Sequence, residues 1–174
     1  MIGNVLINLA LVATLFSVFK YYQASKGNIN ALLYARYAYH ASAALVIVTS
    51  LFFLYIIVTH QYQYKYVFDY SSANLSPGLL ISTFYAGQEG SFLLWLLLAV
   101  IVGIVLQNYS SKKADLESSI MIIYSLIIVF LIVMVTPFFK SPFNFIKHKT
   151  IYKLRLAWRS GYVNWLCFSC FKKE

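Results

Sequence analysis

The chain has 174 residues, of which 61% are hydrophobic and only 11% are charged. Soluble domains average roughly 45–50% apolar and about 25% charged residues. So few charged side chains cannot cover the surface of a water-soluble protein, which excludes both a cytosolic enzyme and a disordered chain. The sequence therefore predicts an integral membrane protein.

Four apolar stretches are long enough to cross a membrane, since a spanning helix needs roughly 20 apolar residues. They are about Ile2–Phe19, Ala41–Thr59 (with an earlier start among Ala31–Tyr39 as the alternative), Ser91–Gln107 and Ile120–Phe139. Pro137 is expected to end the last helix. Unbroken apolar runs, without the alternation of a barrel strand, predict an all-α polytopic membrane protein with about four transmembrane helices.

The positive charge is distributed unevenly along the chain. Residues 1–139 carry six Lys and Arg against four Asp and Glu, whereas residues 140–174 carry eight against one. A basic segment beside membrane helices suggests contact with membrane lipid, and we expect no nucleic-acid partner.

Orientation is predicted from the cations of the short loops, which tend to face the cytoplasm. The first loop has Lys20, Lys26 and Arg36, the third has Lys112 and Lys113, and residues 60–90 have Lys65 alone. We therefore expect residues 60–90 on the outer face. The same rule puts the basic tail on that face, which conflicts with its charge.

Residues 60–90 form the one long polar stretch between spans, rich in tyrosine and ending in Gly87-Gln88-Glu89-Gly90-Ser91. One interpretation is structural: the tyrosines form an interfacial aromatic belt, Glu89 is favoured by the helix dipole, and Ser91 or Glu89 caps the helix. The other is functional: a polar collar whose glycines allow close approach of a flat ligand or a neighbouring helix. Residue chemistry leaves both open.

The spacing of three segments is distinctive. They are Tyr66-Val67, Tyr70-Ser71-Ser72 with Leu75, and Phe84-Tyr85-Ala86-Gly87-Gln88-Glu89-Gly90-Ser91-Phe92-Leu93-Leu94-Trp95. This pattern resembles the cytochrome c-type biogenesis family CcmF, a haem lyase family with NrfE and CcsA as relatives. The resemblance covers about residues 1–145, which we interpret as the transmembrane part of a cytochrome c assembly protein, followed by a basic tail, 146–174, that does not resemble the family.

The resemblance implies haem handling and haem transport at the periplasmic face of the cell inner (plasma) membrane, for covalent attachment to apocytochrome c. The implied partners are apocytochrome c, a haem chaperone and other cytochrome c maturation proteins. The candidate haem-path residues on the outer face are Tyr70, Ser71, Gly87, Gln88, Glu89, Gly90, Ser91 and Trp95, with Trp95 packed one turn below the collar. His60 is the candidate haem ligand, catalytic residues are not assigned, and no metal site is predicted.

The chain also departs from the family pattern. The tryptophan-rich WWD segment and the His-Pro-Pro element do not occur. We therefore expect a truncated or split member that is inactive by itself and acts with a second polypeptide carrying the rest of the fold. The alternatives are a non-catalytic membrane fragment or interaction subunit, and a small channel or transporter subunit. A channel would need ionisable residues inside its spans, where the sequence offers only Asn4, Asn8 and hydroxyls.

The tail permits two interpretations. It is either an unrelated reading frame or a basic amphipathic helix at the membrane surface. Cys167 and Cys170 form a CxxC pair without the following His of a haem-attachment site, and we expect the pair to be accidental. His40 and His148 are not expected to bind haem.

Overall fold

A computed structural model describes residues 2–61, 63–71, 77–112, 114–136 and 141–144. The described residues form six α-helices, a 3-10 turn and no β-strand: α1 Ile2–Ser25, α2 Ile29–Val58, α3 Lys65–Tyr70, α4 Pro77–Ser82, the turn Thr83–Tyr85, α5 Gln88–Ser110 and α6 Ala114–Val135. Helices α1, α2, α5 and α6 are long and apolar enough to cross a membrane. The all-α polytopic fold predicted from composition is confirmed.

The four long helices form a closed bundle in which α1 and α5 each pack against both α2 and α6. Short turns join α1 to α2 and α5 to α6, so each of these pairs is antiparallel. We call the end with these two turns the hairpin end. The opposite end, which includes residues 59–61, 63–71 and 77–87, is called the loop end.

At the hairpin end, the long helices extend beyond the apolar runs that predicted them. Helix α2 begins at Ile29, two residues before the earliest predicted start, and α6 begins at Ala114 and ends at Val135 rather than running from 120 to 139. Packing explains the extension, because Tyr21, Tyr39 and Met121 form a buried cluster near the hairpin end. Arg36 consequently lies in α2, and its predicted loop position is wrong.

Arg36 and Glu117 form an ion pair between α2 and α6. Arg36 Nε donates to Glu117 Oε1 at 2.7 Å, and Nη2 lies 2.5 Å from Oε2. Both residues lie inside candidate spanning helices. The expectation that the spans offer no ionisable residue is therefore wrong, because hydropathy alone placed both residues outside the membrane segments.

The bundle interior is apolar where the four helices meet. A gap too small to hold a water molecule is lined by Ile7, Ala10, Val46, Thr49, Leu93, Leu96 and Ile132. A conducting pathway needs polar groups that replace water around the solute. This central gap therefore gives no support to the channel alternative.

Residues 141–144 cover the loop end after α6. Ser141 Oγ lies 2.6 Å from Asn4 Oδ1, and the Asn144 carbonyl accepts a hydrogen bond from the Lys65 amide at 2.9 Å. Phe143 is fully buried, with its ring 5.6 Å from that of Phe53. The compact unit ends at Asn144. The predicted tail, with His148, Cys167 and Cys170, lies outside the described residues.

Candidate functional site at the loop end

The loop end is organised around the side chain of Tyr66 in α3. Its ring makes edge contacts with Phe53 at 5.0 Å and a tilted contact with Tyr70 at 4.9 Å. The Phe84 ring also makes an edge contact with the Phe53 ring, at 5.2 Å between centroids. We call Phe53, Tyr66, Tyr70, Phe84, Gly87 and Gly90 the Tyr66 cluster. It joins α2, α3, the 3-10 turn and the start of α5.

The Tyr66 hydroxyl is the polar centre of this cluster. It accepts a hydrogen bond from the Gly87 amide at 2.9 Å and donates toward the carbonyls of Thr83 and Phe84, at 2.9 and 3.2 Å. Burial raises the pKa of Tyr66 to about 12, while the Gly87 hydrogen bond acts in the opposite direction. The phenol therefore stays protonated at neutral pH, as the two carbonyls require.

Gly87 and Gly90 allow the backbone of α5 to approach these rings. A Cβ atom at Gly87 would lie 2.7 Å from ring carbons of Tyr66 and Tyr70. A Cβ at Gly90 would overlap the Phe84 carbonyl oxygen and the Tyr66 hydroxyl. Close approach was one expectation of the collar interpretation, and in this structure the approaching group is a neighbouring aromatic segment.

The capping part of the structural interpretation is wrong. The N-cap of α5 is Gly87, and no side chain caps it. The Ser91 hydroxyl instead donates to the carbonyls of Gly87 and Tyr85, at 2.9 and 3.0 Å. Glu89 does lie in the first turn of α5, where the helix dipole favours an acid.

The tyrosines of this segment do not form a uniform interfacial belt. Tyr64 and Tyr66 are buried, whereas Tyr70 and Tyr85 expose 42% and 55% of their surface. Tyr62 lies outside the described residues, as do Ser72 and Leu75 of the sequence pattern. The described tyrosines are therefore divided between the core and the surface.

His60 follows the C-cap of α2 and has an unusual backbone conformation. Its φ of +50° lies in the left-handed region, and among the described residues other than glycine only His60 has a positive φ. The amides of His60 and Gln61 donate to the carbonyls of Ile57 and Ile56, both at 3.1 Å. This is a Schellman ending, in which glycine usually occupies the left-handed position. His60 Nδ1 lies 3.4 Å from Ser71 Oγ, so the chain brings two predicted site residues together.

Three charged groups act on one another at the surface of this end. Partial desolvation raises the pKa of Asp69, Lys65 opposes that effect, and Glu89 adds to it. The carboxylates of Asp69 and Glu89 are thus close enough to repel.

Gln88 and Trp95 lie apart from the cluster. Gln88 is exposed at the start of α5. The Trp95 side chain is 65% exposed and borders a shallow apolar groove of about 490 Å³ with Phe92, Leu98 and Leu131. The expectation that Trp95 packs below the collar is wrong, because its helical position faces outward from the bundle.

The fold is similar to that of a solved structure titled "Cytochrome c Heme Lyase CcmF". The TM-score is 0.74 at 23% sequence identity, and the match covers 84% of this chain. The predicted resemblance to CcmF is confirmed at the level of the fold. The chain spans about a quarter of the length of that structure, 25%. No protein-family model matches the sequence, and no curated protein matches it either.

Within this CcmF-like fold, the predicted site residues divide into three groups. Tyr70, Gly87 and Gly90 meet at the Tyr66 cluster, and Ser71 meets His60. Glu89 and Ser91 begin α5 beside them, whereas Gln88 and Trp95 are exposed outside the cluster. The predicted site omitted Tyr66, Phe53 and Phe84 as contributors. Tyr66 and Phe84 occur in the sequence pattern itself, which could have indicated them, whereas nothing near Phe53 marks it.

The described residues do not make up a complete haem site. At the loop end they supply one imidazole, that of His60, and among them no group of three or more His, Cys, Asp and Glu could hold a metal ion. The second histidine of the described chain, His40, is exposed in α2, nearer the hairpin end.

Proposed function

We propose that this chain takes part in cytochrome c maturation as a haem-handling membrane protein. The observation that carries the proposal is the fold similarity to a haem lyase over 84% of the chain. The segments that suggested the family from sequence supply every residue of the Tyr66 cluster except Phe53. Haem is the substrate in this proposal, and apocytochrome c and the other maturation proteins are its proposed partners.

The loop end is the proposed haem-facing surface, on the periplasmic side of the inner membrane. Three lysines, Lys20, Lys26 and Lys112, lie at or near the hairpin end. The described residues of the loop end contain one lysine, Lys65. This asymmetry supports a cytoplasmic hairpin end. The contribution proposed for this chain is a rigid platform that offers one imidazole, His60, oriented from its Nδ1 side by Ser71.

The orientation is tested by cysteine labelling in a background with Cys167 and Cys170 replaced by serine. Gln88→Cys reports on the loop end, and Lys112→Cys is the matched exposed position at the hairpin end. We expect a membrane-impermeant thiol reagent to label Q88C in intact spheroplasts and K112C only after permeabilisation. The reverse pattern would place the loop end in the cytoplasm and overturn the proposal.

The haem contact is tested by titrating hemin into the purified chain in detergent micelles. We expect a Soret band typical of imidazole ligation that His60→Ala removes and that His40→Ala, the control at the exposed histidine of α2, leaves unchanged. A band insensitive to both substitutions indicates partition into micelles. That result, or no band at all, favours the alternative of a non-catalytic interaction subunit.

A further inference from the structure

The hairpin end contains a buried polar cluster that the proposed haem surface does not use. Its centre is the Arg36–Glu117 ion pair between α2 and α6. The Glu117 side chain is 0% exposed, and the Arg36 side chain is 34% exposed. Each carboxylate oxygen of Glu117 accepts one hydrogen bond from the guanidinium. Because a carboxylate has about four acceptor positions, about two remain for other donors.

Three further buried polar atoms lie at the same end of the bundle. They are Tyr21 Oη, Gln107 Oε1 and Ser110 Oγ, none of which has a hydrogen-bond partner among the described residues. Tyr21 is 0% exposed, and Gln107 and Ser110 are 2% exposed each. Tyr21 is near the end of α1, and the other two residues occupy the last turns of α5.

The packing register brings these atoms toward the ion pair. A Cβ atom at Gly103 of α5 would meet both Tyr39 of α2 and Tyr124 of α6. Gln107 lies one turn nearer the hairpin end than Gly103, and Arg36 and Glu117 lie nearer that end than Tyr39 and Tyr124. Tyr21 packs in one buried cluster with Ala35, the residue before Arg36, and with Met121, one turn after Glu117, which brings α1 to the ion pair.

A buried polar group without a partner is strongly disfavoured, and more so inside a membrane than in a soluble core. The unpartnered groups here require different hydrogen-bond partners. Gln107 Oε1 requires a donor, the hydroxyls of Tyr21 and Ser110 require both donor and acceptor, and the Glu117 carboxylate requires donors. Water is the small ligand that both donates and accepts, and buried waters typically make about three such bonds.

We propose that the hairpin end holds an internal hydration site, in which buried water links Tyr21, Gln107 and Ser110 to the Glu117 carboxylate. This site goes beyond haem handling and does not depend on it. Hydration reduces the desolvation penalty of an ion pair inside a membrane helix bundle. The water and the ion pair together fix α1, α2, α5 and α6 to one another at the end away from the proposed haem surface.

X-ray radiolytic footprinting of the purified chain in detergent tests the site directly, because hydroxyl radicals form from bound water in place. We expect Tyr21 and Met121, both fully buried, to be oxidised at least several-fold faster than Phe53 after each rate is divided by the intrinsic reactivity of that residue type with hydroxyl radical. Phe53 is a suitable control since it is buried to 1% exposure in an apolar cluster. Oxidation of Tyr21 and Met121 no faster than that of Phe53 would overturn the proposal.

Two substitutions test whether the water binds these particular atoms. Tyr21→Phe and Gln107→Leu each remove one polar group, and we expect each to lower the midpoint of thermal unfolding and to slow oxidation of Met121. The control is Ser125→Ala, since Ser125 Oγ is also buried without a partner among the described residues but lies farther along α6. We expect that variant to unfold at an unchanged or higher temperature.

The sign of the thermal shift separates a hydrated site from a dry one. In a dry site, removing an unpartnered polar group stabilises the fold, so Y21F and Q107L would unfold at higher temperature, like S125A. That result, or Met121 oxidation unchanged in both variants, would overturn the assignment of water to Tyr21 and Gln107.

Discussion

At the scale of single residues, one hydroxyl connects several elements of the loop end. The Tyr66 phenol bonds the Gly87 amide and two carbonyls of the turn before α5. These bonds are made in a buried environment, where losing one partner leaves the other unsatisfied. The position of α5 relative to α3 therefore depends on an atom that the predicted site did not include.

Tyr66→Phe tests this dependence. Removing the hydroxyl leaves the Gly87 amide and the turn carbonyls without their partner, and we expect a loss of about 1–3 kcal/mol of unfolding free energy. Thermal unfolding in detergent, followed by tryptophan fluorescence, measures the change. Tyr70→Phe is the matched control, since Tyr70 is exposed and its substitution should change stability by less than about 0.5 kcal/mol. Equal midpoints for the two variants would contradict the role of the Tyr66 hydroxyl.

At the scale of elements, helices are positioned by small residues as much as by apolar ones. The first turn of α5 can lie against α3 and the 3-10 turn because Gly87 and Gly90 have no side chain. At the other end of the same helix, Gly103 allows a close approach to Tyr39 and Tyr124. The register of α5 against its neighbours is therefore set at both ends by glycine.

Gly90→Ala separates this packing role from helix propensity. Alanine in a helix is normally favoured over glycine by up to about 1 kcal/mol. At Gly90 the added methyl group would overlap a backbone carbonyl, which cannot move as a flexible side chain can, so we expect net destabilisation. The control is Gly78→Ala in α4, where a Cβ meets nothing within 4 Å.

The expected result is opposite signs for the two alanine variants in the same thermal unfolding assay. G78A should unfold at an equal or higher temperature than the parent, and G90A at a lower one. A stabilised G90A would show that α5 can shift away from the 3-10 turn at little cost, contrary to the packing described above.

At the scale of the whole molecule, the residues after α6 complete the bundle. Phe143 packs against Gly3 of α1 and against the rings of Phe52 and Phe53 in α2. Ser141 contacts Asn4, and Asn144 pairs with the start of α3. Contacts from three separate parts of the chain thus converge on four residues near the end of the compact unit.

Phe143→Ala should cost about 3–5 kcal/mol, the usual loss for truncating a buried phenylalanine. Phe130→Ala is the control, because Phe130 is 63% exposed on α6 and its ring leaves no comparable cavity when removed. Chemical or thermal unfolding in one detergent compares both variants with the parent chain. Similar stabilities for F143A and F130A would mean that residues 141–144 do not hold the loop end closed.

The sequence alone determined the class of the fold and the number of spans. Long apolar runs in a chain with few charges have no stable alternative to membrane helices, because every backbone polar group in lipid must be bonded within the helix. The spacing of the segments from Tyr66 to Trp95 also sufficed to indicate the CcmF-like fold. These properties are local or compositional, so a single sequence expresses them.

Only the tertiary structure decided which residues meet. Hydropathy placed Arg36 in a loop and Glu117 before its span, whereas pairing across α2 and α6 allows both to lie within the helices. The side-chain period of α5 turns Trp95 outward and Gly90 inward, and the Tyr66 hydroxyl gains its partners from residues 17 to 21 positions away. Contacts between distant segments depend on packing and register, which residue type and local spacing do not specify.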